Sequence, residues 1–322
     1  MDIVISHKSA LQLLRSPRAL EWETCSSELP ARMPAPADLR ELASLFPELG
    51  EMPDVLIAEK NGGHSGECAQ VHVWTTGLPQ GSLLHVAPGI RCVSPLLLPV
   101  LLASKLKKLE MALLLSELMG LYAICEDSAM GLLQRREPLA TPEGFDAFLG
   151  KIDGAWGTGK MRAALRIAPS MSASPLEAKL YLRATLPHAK GGYNLGKVVL
   201  NDPQEIRRLA FGGKSGRQRK PDLLFKGSSG HGGVCLDYMG AWHDSDSQVH
   251  RDTKRRNELL ANGFTPYEIF KPQYDDLDYM DELMASIRED LGMPPVAVSR
   301  EVGLRRHRAR YELWWQLEHI SL

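Results

Sequence analysis

Asp222 and Asp237 lie in a stretch whose pattern brings them together. Asp222 is followed at once by the apolar run Leu223-Leu224-Phe225, and a second run, Val234-Cys235-Leu236, ends directly at Asp237. The segment between the runs, KGSSGHGG, is rich in glycine, so 223–236 reads as a β-hairpin. A hairpin of this size sets both carboxylates at neighbouring strand positions. Two adjacent carboxylates repel, and the usual relief is a cation. A hard divalent ion such as Mg²⁺ takes few protein carboxylates and keeps waters for itself and for a substrate phosphate, which suits this pair. Tyr238-Met239-Gly240 follows, then His243, an imidazole suited to general acid or base work beside a phosphodiester near neutral pH. Taken one acid at a time, the same features describe a surface hairpin. The ordered set is what argues for a site.

Charge surrounds this stretch unevenly. The 322-residue chain has a formal net charge of −1, yet residues 207–226 carry Arg207, Arg208, Lys214, Arg217, Arg219, Lys220 and Lys226 against Asp222 as the sole acid. Residues 251–260 read as a helix with a cationic end, stopped by Asn262-Gly263. Residues 300–310 hold five arginines and His307. Basic patches in a neutral protein fit a phosphate-binding surface, with Arg219, Lys220, Arg255 and Arg256 as its candidates. The plainer alternative is a solvated loop and helix face.

In order, Asp222, the aspartate-tyrosine-x-glycine segment at 237–240, His243 and the run DTKRRNELLANG from Asp252 to Gly263 resemble the very-short-patch-repair endonuclease-like branch of the PD-(D/E)XK nuclease superfamily. Ser174-Pro175-Leu176-Glu177-Ala178-Lys179-Leu180 is similar to that branch's first helix, whose glutamate points into the active site. The resemblance covers residues 172–292. It implies an α/β (α+β) domain of the restriction-endonuclease-like kind, a mixed sheet flanked by helices. It implies Mg²⁺ (or Mn²⁺) on Asp222 and Asp237, Glu177 in support, His243 transferring a proton, and Arg255 or Arg256 clamping a phosphate. The expected partner is nucleic acid, DNA before RNA, and the expected activity an endonuclease in defence or repair. Two positions depart from the pattern. Asp237 stands where glutamate is usual, and Met239 where the superfamily has lysine and this branch aspartate. Met239 favours the alternative, a catalytically inactive nuclease-fold protein that binds DNA or regulates, as an antitoxin does.

These residues need a scaffold, and the rest of the chain is consistent with one. With 44% hydrophobic and 24% charged residues the composition is that of a globular protein long enough for two domains. Ser6 is placed to cap a helix over 7–15, a second helix is expected over 37–46, and β-like runs fall at 55–58, 71–75 and 83–86. Ile90-Arg91-Cys92-Val93-Ser94-Pro95 before a leucine-rich helix resembles the middle domain of AbiEi-like antitoxin proteins. A buried helix is expected over 109–125, a strand over 267–270 and a helix over 277–291. The organisation expected is a small mixed α/β domain over 1–149, a glycine-rich linker over 150–171, the nuclease-like domain over 172–292 and a basic helix over 293–322.

Other chemistries are excluded by spacing. GTGK at 157–160 is followed by Met161 where a phosphate-binding loop needs Ser or Thr, and the acids at 275–282 lack the order of a calcium loop. Five cysteines without a C-x-x-C pair indicate neither a zinc ribbon nor a disulfide framework. His7, His72 and His85 have no partner at a ligand spacing and read as structural or surface residues. The N-terminal stretch lacks a signal-peptide core, and the longest apolar runs fall short of the roughly 20 residues a bilayer requires. A cytoplasmic protein without a membrane partner is expected.

Overall fold

Ile3, Val4 and Ile5 are fully buried, and the first of two units is built outward from them. The computed structural model describes residues 2–66, 68–125, 128, 131–134, 136–196, 198–206, 217–227, 232–239 and 246–320. The chain divides into Met1–Arg166 and Ile167–Leu322, both mixed α/β. Among the described residues no helix is long and apolar enough to cross a membrane.

In the first unit, β1 (Ile3–Ile5) is the middle strand of five. It runs parallel to β5 (Ile90–Val93) and antiparallel to β2 (Asp54–Ile57), with β3 (Gln70–Val73) beyond β2 and β4 (Leu83–Ala87) beyond β5. A strand buried on both faces reads as an unbroken apolar run, which is why IVI sits there. The unit's helices are α1 (His7–Leu14), α2 (Pro36–Leu45), α3 (Leu98–Leu102), α4 (Lys108–Leu118), α5 (Pro142–Lys151) and α6 (Thr158–Leu165), with a hairpin of β6 (Tyr122–Ile124) and β7 (Leu132–Gln134).

Two expectations change here. The helix expected over 109–125 stops at Leu118. Buried Glu117 takes a two-pronged ion pair from Arg15, 2.8 Å at each oxygen, and the amide of Ile124 at 3.0 Å, so the chain turns back as β6. The expected linker over 150–171 contains α6, which packs along α4. Within GTGK, Lys160 Nζ donates to the Ala103 and Leu106 carbonyls at 2.7 and 3.0 Å, binding the end of α3. The division between units therefore falls after Arg166.

The second unit begins with α7 (Pro175–Thr185) and β8 (Val198–Leu200). A short ladder of β9 (Gln204–Ile206) with β10 (Arg217–Arg219) precedes the hairpin of β11 (Leu223–Phe225) and β12 (Gly233–Met239). Then come α8 (Asp246–Ala261), β13 (Phe264–Phe270), α9 (Lys271–Asp275), α10 (Leu277–Asp290) and α11 (Arg300–Glu318). The main sheet is ordered β13-β12-β11-β8. β11 is antiparallel to both neighbours, and β13 is parallel to β12, a pairing that requires a crossover such as α8.

Side chains alternate along these strands. Leu223, Phe225, Val234 and Leu236 share one core layer with Met280, Met284 and Ile287 of α10, while Leu224 and Cys235 share the other with Leu259 of α8 and Phe264. The hairpin and the helix over 277–291 lie where the pattern places them, while β13 starts three residues before Tyr267 and α8 starts at Asp246. The expected basic helix of 293–322 is part of the unit: Leu313 and Leu317 of α11 are buried. A Cβ on Gly191 would stand 2.2 Å from the Ala309 carbonyl oxygen.

The hairpin depends on Gly233, which has φ +112° and whose added Cβ would stand 2.3 Å from the Phe225 carbonyl oxygen. Gly233→Ala is expected to cost on the order of 1–3 kcal/mol, the range for strained backbone, read as a lowered urea midpoint. Gly196→Ala, with open space around the new methyl, should stay within about 0.5 kcal/mol of the parent. Equal midpoints for the two variants would contradict the hairpin geometry.

Candidate active site

The β11–β12 register puts Leu223 opposite Leu236. One step further out on each strand, Asp222 meets Asp237 on the α8 side of the sheet. Each carboxylate is gripped by the other strand's backbone: the Asp222 amide donates to Asp237 Oδ1 at 2.9 Å, and the Tyr238 amide donates to Asp222 Oδ2 at 2.6 Å. Asp237 Oδ2 pairs with Arg255 Nη2 of α8 at 2.9 Å. Asp222 Oδ1 accepts no hydrogen bond from a described residue. Asp237 is buried and Asp222 half-buried.

A third acid comes from the start of α7. Ser174 caps the helix by accepting the Glu177 amide at 3.2 Å, and its hydroxyl donates back to Glu177 Oε1 at 3.1 Å. Glu177 Oε2 receives the Ala173 amide at 2.7 Å and Asn201 Nδ2 at 2.8 Å. Asn201, just after β8, has φ +50°, and its amide donates to the Pro221 and Asp222 carbonyls at 3.1 and 3.3 Å. It therefore ties the glutamate of α7 to the chain entering β11. Sequence reasoning passed over Asn201. Its only signal is an asparagine closing an apolar run, where a left-handed turn residue is at home.

The charges do not balance. Burial, followed by the Glu177 and Asp237 charges, pushes Asp222 up to about 8, against the lowering influence of the Tyr238 amide and Arg255. Burial raises Glu177 despite its three donors, and the Asp237 charge adds to it. Burial also raises Asp237, although Arg255, the Asp222 amide and Arg219 oppose this. Among the described residues the three acids share one directly paired guanidinium, so this group either holds a proton or accepts a further cation. A hard divalent ion needs only one or two protein carboxylates and completes its shell with water. Asp222 and Asp237 fit that demand. No three His, Cys, Asp or Glu side chains among the described residues already form a metal-binding cluster.

The basic candidates separate into two kinds. Arg255 is turned onto Asp237, with a weaker contact of 3.4 Å to the Lys220 carbonyl, and Arg219 Nη2 pairs with buried Glu258 at 2.6 Å. Both are committed to acids of the protein. Lys220 and Arg256 are exposed and pair with no acid among the described residues. Met239 lies two residues beyond Asp237 on the same side of β12, half-buried. Glu268 is the register partner of Asp237 on β13, an acid sequence reasoning did not single out. His243 lies outside the described residues.

The first unit holds a separate polar group. His72 Nε2 is 2.6 Å from Asp54 Oδ1, and its ring stacks on His7 with centroids 3.5 Å apart. Pairing of β2 with β3 makes this group from residues far apart in sequence. It reads as structural: Asp54 also accepts the amide and hydroxyl of Ser9, and burial keeps His7 uncharged by lowering it to about 3.

A carboxyl group raised in the folded state takes up a proton there before it does in the unfolded chain, so stability falls as pH rises through that window. For Asp222 the window runs from 3.8 to about 8, with a slope of up to about 1.4 kcal/mol per pH unit. Thermal melts in EDTA should fall from pH 5 to pH 8.5, and Asp222→Asn should flatten that fall. Millimolar Mg²⁺ at pH 8.5 should raise the melting temperature of the parent and leave Asp222→Asn unmoved. A parent melt that rises across this range would contradict the unbalanced charge.

Comparison with protein-family models, curated proteins and solved structures gives no significant match to this chain.

Proposed function

We propose that the second unit is a metal-dependent endonuclease that cuts DNA phosphodiesters, a member of the very-short-patch-repair endonuclease-like branch of the PD-(D/E)XK superfamily acting in the cytoplasm in defence or repair. The observation that carries this reading is the face-to-face placement of Asp222 and Asp237, with the Glu177 charge felt at Asp222 and the group left short of positive charge. The order of elements supports it: a helix bearing an acid, three antiparallel strands of one sheet, a helix, and a parallel fourth strand.

Asp222 and Asp237 are the residues that would hold Mg²⁺, with Glu177 beside them. When bound, such an ion activates water and neutralises charge on the phosphoryl group in the transition state. Arg255 Nη2 holds Asp237 Oδ2 in place and supplies the fixed positive charge that Met239 does not. Lys220 and Arg256, exposed and without an acid partner among the described residues, are the candidates to take backbone phosphates, and His243 is the proton carrier this reading requires. A second reading rests on Met239 and on the capture of Asp237 by Arg255. It is a nuclease fold kept for DNA binding or regulation after loss of its chemistry, as fold outlives function elsewhere.

Plasmid and mismatched duplexes incubated with Mg²⁺, Mn²⁺ or EDTA separate the two. Asp222→Asn should abolish cutting while low-salt binding in EDTA persists at neutral pH and tightens above about pH 8, where Asp222 is ionised and the substitution removes a negative charge from the phosphate path. His243→Ala should cost about 10²–10⁴-fold, and Met239→Lys should speed a slow parent. A parent no faster than Asp222→Asn would end the enzymatic reading and leave the binding one.

Binding should weaken with salt by about 0.9 in log K per neutralised phosphate. Lys220→Ala and Arg256→Ala should each reduce the slope by about one unit, and salt-independent binding would count against both readings.

A further inference from the structure

Between α10, α11 and the turn at 188–190 lies a cavity of about 910 Å³. Its origin is local. Gly292, at φ +65°, ends α10 with its amide on the Glu289 carbonyl at 2.8 Å, and the Met293 amide bonds the Arg288 carbonyl at 3.0 Å. Pro294 and Pro295 then bar further helix. The chain passes through Val296 and Val298 until Ser299 caps α11, leaving an apolar wall of Met293, Pro295, Val296 and Val298 on one side of the space.

The other side is basic. Arg288 projects from α10, and Arg306 and Arg310 from adjacent turns of α11. Arg310 is neutralised: its Nη1 lies 2.7 Å from Asp281, and its guanidinium covers the Tyr193 ring at 4.5 Å. Among the described residues Arg288 bonds carbonyl oxygens and no acid, Tyr193 at 2.8 Å and Asn194 at 3.4 Å. Arg306 has no partner among the described residues. Asp281 is already taken by Arg310, Tyr193 and His307, and the exposed Glu289 at the rim pairs with neither free arginine. His188, whose Nδ1 lies 3.0 Å from the Gly192 carbonyl, registers the same field: burial, then Arg306, Arg310 and Arg288, lowers its basicity.

We propose that this cavity binds a nucleoside 5′-phosphate, with the phosphate on Arg288 and Arg306 and the nucleoside against Met293, Val296 and Val298. Guanidinium forks match phosphate oxygens, and two of them without a carboxylate partner call for an anion. The volume exceeds what inorganic phosphate needs and lies in the range of pockets for compact organic ligands. An apolar wall facing the cations calls for an organic body on that anion. The site is built from residues other than Glu177, Asp222 and Asp237, so it stands whether or not the second unit cleaves DNA.

Isothermal titration of the full chain with AMP, ADP and GMP tests this, in EDTA so that no metal recruits a phosphate to the carboxylates. Inorganic phosphate and adenosine are the controls. At least one nucleotide should bind about ten-fold or more tighter than adenosine, the value of a charge-assisted hydrogen bond, and about ten-fold or more tighter than inorganic phosphate through burial against the apolar wall. Arg306→Ala, which removes no hydrogen bond or ion pair among the described residues, should lose at least that factor with its melting temperature unchanged, and Val298→Asp should weaken the nucleotide more than inorganic phosphate. Asp222→Asn should bind as the parent does. Absence of nucleotide binding at millimolar concentration, adenosine or phosphate binding as well as the nucleotides, or unchanged binding in Arg306→Ala would each overturn the proposal. Loss of binding in Asp222→Asn would move the ligand to the carboxylate pair and overturn it too.

Discussion

The pairing of Leu223 with Leu236 decides where the charges of the second unit go. A slip of one residue between β11 and β12 would turn every side chain of one strand to the opposite face. The acids would then part, and either Leu224 or Cys235 would leave the layer they share with Leu259. Burial on both faces of β11 makes such a slip costly, since its three residues are all fully covered. The register is thus held by apolar packing, and the site at its end inherits that rigidity. Gly233 sets where β12 begins, and the mutual backbone grip of Asp222 and Asp237 closes the pair.

Holding like charges this close needs something in return. Part of it comes from backbone amides: Glu177 takes one, Asp222 one and Asp237 one, each a donor that would otherwise lack a partner at a helix start or strand end. Part comes from Arg255. These donors do not cancel the burial, which is why Asp222 remains far above an ordinary aspartate. An arrangement that is rigid and short of positive charge is prepared for a cation, because packing prevents the acids from moving apart.

Much of this was legible in the sequence because it rests on local pattern. Two apolar runs with glycines between them announce a hairpin, and residues 277–291 carry an apolar face at helical spacing. What was not legible depends on contacts distant in the chain. The helix expected over 109–125 has no internal signal to stop at Leu118, since Arg15, over a hundred residues away, is what engages Glu117 at its end. Glycines at 150–160 resemble a linker until Lys160 finds the carbonyls of Ala103 and Leu106. Asn201 looks like any turn residue until α7 brings Glu177 to it. Arg219 and Arg255 look like phosphate ligands in a basic run, and the fold instead gives each a buried acid.

Met239 beside the pair, with Arg255 taking up Asp237, limits what the site has to work with. A guanidinium stays protonated throughout the physiological range and offers donors in a fixed fork, so Arg255 can steady a carboxylate or an incoming phosphate oxygen but cannot pass a proton. A methionine thioether can do neither. Any proton moved here must travel by another group. Asp222 is a group of the site suited to this, because burial and its two acidic neighbours raise it to about 8. A divalent cation on the pair would displace that proton, since a carboxylate must be ionised to ligate. On the proposed reading, metal binding would therefore release a proton at one oxygen pair, and the affinity for a hard cation would rise with pH through the window in which Asp222 ionises.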